Sequence, residues 1–115
     1  MTRLVKLEIA GVVIVAVALL AFSRARGAAP VKPVTHQVAI EGMQFQPEVV
    51  SVAPADAIVW TNKDMFPHTV TSKSGDFDSH EIKPGESWTY RVVKKGEFAY
   101  VCSFHPTMKA LLRSK

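Results

Sequence analysis

Tyr100-Val101-Cys102-Ser103-Phe104-His105-Pro106-Thr107-Met108 holds the chain's only cysteine, a histidine three positions later and a methionine three after that. Cys102, His105 and Met108 therefore place a thiolate, an imidazole and a thioether within seven residues. That donor set is soft enough to favour copper, above all Cu(I), over Mg, Ca or Mn. A single cysteine also excludes an intrachain disulfide and any binuclear copper centre built on two cysteines.

One more imidazole would complete the set, and His68 is the candidate. It closes the loop Asn62-Lys63-Asp64-Met65-Phe66-Pro67-His68, which follows the apolar run Ala57 to Trp60. Loops held by a rigid sheet are where site residues concentrate. Two histidines and a cysteine in a plane, with a weak axial methionine, form the ligand pattern of blue-copper electron-transfer centres.

Outward from these ligands the chain reads as all-β. Val34 to Ile40 alternates as a strand does, and Met43, Phe45 and Pro47 fall on one side of an extended segment. Val49 to Val52 makes a strand ended by Pro54-Ala55-Asp56, where alanine after proline favours a type I turn over type II. Ala57 to Asn62 and His68 to Ser72 flank the first ligand loop. Pro84-Gly85 occupies the central positions of a type II turn, and Ser87 to Val92 alternates around Trp88 and Tyr90. Glu97 to Cys102 puts Phe98 and Tyr100 on one face, with Cys102 at the strand's end, and Met108 to Leu112 supplies a short closing strand. Seven or eight strands of this length predict a small two-sheet sandwich. Trp60, Trp88, Tyr90 and Phe98 are its expected core.

From His36 to Leu112 the text resembles the cupredoxins, and among them the plastocyanin and amicyanin group. Phe66-Pro67-His68 and the compact Cys-x2-His-x2-Met spacing are most similar to amicyanin. The resemblance implies a Greek-key β-sandwich and one copper ion held by His68, Cys102, His105 and Met108. It implies that Asn62 pins the ligand loop, with its side chain bonded near Cys102, and it leaves the hydrogen bonding of the Cys102 sulfur open, because Thr69 stands where amicyanins often have asparagine. It implies an electron port at His105 ringed by Met65, Phe66, Pro67, Phe104 and Pro106, unless Met65 and Phe66 only plug the core. The implied partners are a redox-protein donor and acceptor, such as a dehydrogenase and a cytochrome, acting on a monomer.

The 115 residues leave room for one domain. Ahead of it, Arg3 and Lys6 precede fourteen unbroken apolar or glycine residues, Ile9 to Phe22, and then the small, basic stretch Ser23 to Ala29. That is the form of an export signal. As a helix the run reaches ~21 Å against a hydrocarbon core of ~30 Å, short for a span. Residues 1–29 are thus a cleaved leader or a retained membrane anchor, 30–35 a linker and 36–115 the copper domain, and either alternative places that domain in the periplasm or otherwise outside the cytoplasm.

From Ala28 onward ten Lys or Arg oppose nine Asp or Glu, a balance of +1 against +4 for the whole chain. No basic stripe of the kind that binds nucleic acid is present. His36 and His80 stand outside the ligand set, and Met43 reads as core or edge. The alternative function, copper binding or delivery, favours clustered methionines, whereas Met43, Met65 and Met108 are dispersed. An enzyme would need a second metal site with more histidines, and zinc fits a thioether ligand poorly.

Overall fold

The structure, a computed structural model, describes residues 31–115; the segment expected as leader, 1–29, lies outside the described residues. Among the described residues the strands are β1 (Thr35–Glu41), β2 (Gln44–Gln46), β3 (Val49–Val52), β4 (Ala57–Asn62), β5 (Thr71–Ser72), β6 (Ser87–Arg91), β7 (Gly96–Cys102) and β8 (His105–Ser114). They form two four-stranded sheets, ordered β2-β1-β4-β6 and β3-β8-β7-β5. β1 pairs with β4 and β3 with β8 in parallel, and the other neighbours are antiparallel. The all-β Greek-key sandwich read from the sequence is the fold observed. No helix among the described residues is long and apolar enough to cross a membrane.

Alternation explains which side of each sheet is buried. Val38 and Ile40 of β1, Val50 and Val52 of β3, Tyr100 and Cys102 of β7, and Met108, Ala110 and Leu112 of β8 all point inward. β4 is central in its sheet, and Ile58 and Trp60 are fully buried. The Trp60 ring meets Tyr100 edge-on at 5.7 Å, and its indole N–H donates to the Tyr100 hydroxyl at 3.3 Å, which links the two sheets two residues from Cys102. Burial pushes the Tyr100 hydroxyl up to about 12. Trp88, Tyr90 and Phe98 are only half-buried and pack against the margin of the core.

Four local expectations change. β8 runs for ten residues from His105, well beyond Met108 to Leu112, because its pairing with β7 begins at Cys102↔His105. The strand expected over His68 to Ser72 contracts to Thr71–Ser72, since His68 pairs singly with Ile82. Met43 leaves the face of Phe45: Gly42 and Met43, with φ of +62° and +58°, form the two-residue turn between β1 and β2.

Ala55 adopts φ +77°, the sign that position i+2 of a type II turn demands. Left-handed alanine costs about 1–2 kcal/mol. The turn is held by tertiary hydrogen bonds that the sequence does not announce: Ala55 N–H donates to Val92 O, and Arg91 donates to Ala55 O. Beside it the Asp56 carboxylate accepts from the amides of Val34 and Ala53 and from the His36 ring, which ties the start of β1 to the β3–β4 turn.

Those donors hold the Asp56 carboxyl at about 2, below its ordinary 3.8. A carboxylate depressed in the fold stabilises it above the ordinary value and stops doing so as pH falls through the lowered one. Acid unfolding followed between pH 4 and 2 is expected to be shallower in Asp56→Asn, which has no charge to lose there. An unaltered slope would assign acid sensitivity to other carboxylates.

Candidate metal centre

The candidate ligands arrive from two directions at one end of the sandwich. His68 follows the loop after β4, and its backbone is pinned by reciprocal hydrogen bonds with Ile82 of 3.1 and 2.8 Å. Cys102 ends β7, and His105 opens β8. The register steps from Val101↔Lys109 to Cys102↔His105, so Pro106, Thr107 and Met108 have no partner on β7 and form a bulge. The bulge leaves Met108 buried in the same cluster as Cys102, while His105 is half-exposed.

The Cys102 Sγ lies 3.6 Å from His68 Nδ1 and 3.7 Å from His105 Nδ1. The three donor atoms lie within 4.8 Å of one another. An ion about 2.0–2.3 Å from each, as nitrogen and sulfur donors sit on zinc, and bonded at trigonal angles would need neighbours roughly 3.6–3.8 Å apart. The two sulfur–nitrogen distances match that spacing and the nitrogen pair lies within 4.8 Å, so the three donors can converge on a single small ion. The chemistry of the set, one buried free thiol with two imidazoles and a thioether nearby, fits copper.

Around the donors the hydrogen bonds are short and specific. Thr69 N–H donates to Cys102 Sγ at 3.3 Å, so a backbone donor reaches the sulfur although asparagine is absent from this position. The Thr69 hydroxyl bonds the hydroxyls of Thr71 and Ser103 and accepts the Ser103 amide at 2.7 Å. It thereby clamps the residue after Cys102 to the residue after His68.

Asn62 acts elsewhere than expected. Its amide donates to Phe66 O and Ile82 O at 2.8 and 2.9 Å, and its Oδ1 accepts the Asp64 amide. It braces the loop that carries His68, not the Cys102 end, because β4 delivers it beneath that loop.

Sequence reading missed Asp64 and Ser103. Asp64 Oδ2 lies 2.8 Å from His68 Nε2. Burial, the largest influence on its carboxyl, pushes it up, but the amides of Met43 and Gly42 and the His68 ring together hold it below the ordinary carboxylate value. The available signal was an acidic residue in the same loop as a candidate ligand. Of the remaining histidines, His36 pairs with Asp56, and His80 is exposed. Met65, Phe66 and Phe104 are 87%, 62% and 50% exposed, so the loop before His68 and the residue before His105 both show apolar surface. Pro106 is exposed and Pro67 half-buried.

A two-sheet sandwich with a mononuclear His-Cys-His site at one end defines a class of small copper proteins. The chain belongs to the cupredoxin-like domain family, whose profile matches residues 11–112. It is 31% identical over 78 residues to amicyanin-alpha of Methylorubrum extorquens, a match covering 64% of this chain and 66% of that protein. The chain thus spans just under two thirds of that relative. An oxidised methionine-to-leucine variant of amicyanin superposes with a TM-score of 0.66 at 20% identity, over 70% of this chain and 81% of that one. A copper-containing nitrite reductase from Thermus scotoductus superposes with a TM-score of 0.67 at 25% identity, over 77% of this chain but 24% of the reductase. The cofactor that family and donor set together define is one copper ion.

Proposed function

We propose that His68, Cys102 and His105 are the strong ligands of that copper, that Met108 is its weak axial ligand, and that the protein carries single electrons between redox-protein partners. The observation that carries this reading is the approach of two imidazole nitrogens to one buried thiol sulfur. Bound copper would supply a one-electron couple between Cu(II) and Cu(I).

The chain's own part is to keep its donors still and dry. His68 and Cys102 are fully buried, Thr69 and Asn62 brace the two approaches, and little of the site can relax when the charge changes. His105 alone of the four is half-exposed, and the electron port assigned to it draws on Met65, Phe66, Pro67, Phe104 and Pro106, apolar residues from which a partner could displace water. A carrier rather than an enzyme is favoured by the size of the match to the nitrite reductase, which is limited to a quarter of that chain. Residues 1–29 act as an export leader or anchor and 30–35 as a linker, which puts residues 36–115 to work outside the cytoplasm.

Absorption and electron paramagnetic resonance spectra of the Cu(II)-loaded protein, before and after reduction, test the reading. An intense visible charge-transfer band that bleaches reversibly is expected. A pale protein with a tetragonal nitrogen and oxygen signal would replace electron transfer with copper binding or delivery.

A further inference from the structure

His68 has two ring nitrogens and one proton to place when neutral. Its Nδ1 faces the Cys102 sulfur at 3.6 Å, and its Nε2 faces Asp64 Oδ2 at 2.8 Å. A carboxylate can only accept. With Asp64 ionised, the proton is held on Nε2, and Nδ1 is left with its lone pair directed toward the sulfur and the half-exposed His105. The ring is fully buried, so water offers no competing partner.

Asp64 is itself fixed from three sides. Gly42 N–H donates to Oδ1 at 2.7 Å, Met43 N–H donates to Oδ2 at 3.0 Å, and the Asp64 amide donates to Asn62 at 2.9 Å. The two donating amides belong to the tight β1–β2 turn, where both residues have positive φ. Met43 accepts a costly conformation there, and the turn thereby aims two adjacent N–H groups at one carboxylate.

We propose that Asp64 is a positioning residue that fixes the tautomer and orientation of His68 and, through it, sets the balance between Cu(II) and Cu(I). This rests on the copper reading above. A carboxylate on the far nitrogen of a ligating histidine raises that ligand's basicity, and its loss weakens metal binding by about 10- to 100-fold. Greater basicity favours the more highly charged Cu(II), so the effect falls unequally on the two oxidation states.

The test uses the full chain as wild type, Asp64→Asn, Asp64→Glu and Asp64→Ala. Voltammetry is expected to show a raised potential in Asp64→Asn, corresponding to about tenfold weaker Cu(II) binding relative to Cu(I), or about 59 mV for a one-electron couple. Asp64→Glu, which restores the carboxylate that Asp64→Asn removes, is expected to return most of that shift. In metal-free protein, nitrogen-15 NMR is expected to show the His68 proton on Nε2 in the wild type and a mixture of tautomers in Asp64→Ala. A blue Asp64→Asn protein with unchanged potential overturns the inference and leaves the copper reading standing. A lower melting temperature with unchanged potential does the same and assigns Asp64 to the turn alone. A wild type that never turns blue overturns the copper half, and the NMR tautomer still decides the other half without metal.

Discussion

Cys102→Ser is expected to abolish the intense visible band and the reversible one-electron response, while the metal-free domain still folds. Cys102 is the only thiol in the chain and the only soft anionic donor at the site. Serine keeps the side chain short and can still accept the Thr69 amide, so the clamp between Thr69 and Ser103 survives. A hydroxyl is too weak an acid to act as a thiolate does, and the charge transfer responsible for the colour requires sulfur. Spectra of copper-loaded wild type and variant, beside far-ultraviolet circular dichroism of both metal-free forms, measure this. An intense band retained in Cys102→Ser would place the chromophore elsewhere.

Trp60→Ala is expected to be the most destabilising single truncation, by about 3–5 kcal/mol for a buried large aromatic. Domains of this kind have only about 5–15 kcal/mol in total. Trp60 is fully buried and its ring contacts Phe77, Trp88 and Tyr100, so a cavity left there adjoins both sheets. Trp60→Phe separates the contributions, because it retains most ring contacts and loses the bond to the Tyr100 hydroxyl, for about 1 kcal/mol. Urea unfolding of the metal-free full chain gives both values. Copper is expected to restore part of the loss in each variant, since a ligand that binds only the folded state stabilises it by mass action. Equal midpoints for wild type and Trp60→Ala would mean that the sheets are joined elsewhere.

The apolar end of the molecule shows how far residue chemistry alone reaches. Met65, Phe66 and Phe104 could be read as a port or as a plug, and their exposure shows that they do not fill the core. Asn62 illustrates the opposite case. Its residue type announced a bracing role, but its partners, Phe66 and Ile82, follow from the loop that β4 leads into.

Donor identity and strand alternation are properties of single residues and their near neighbours, so the sequence by itself determined the all-β sandwich, the place of Trp60 in its core, and the candidacy of His68, Cys102, His105 and Met108. Only tertiary structure decided the shift of register after Val101 that makes His105 the first residue of β8 and bulges out Pro106, Thr107 and Met108. It also decided the left-handed backbone at Met43 and Ala55, and the contacts of Asp64 with His68 and of Thr69 with Ser103. These depend on hydrogen bonds between segments as far apart as Ala55 and Val92, and a donor's partner exists only once the sheets have brought those segments together.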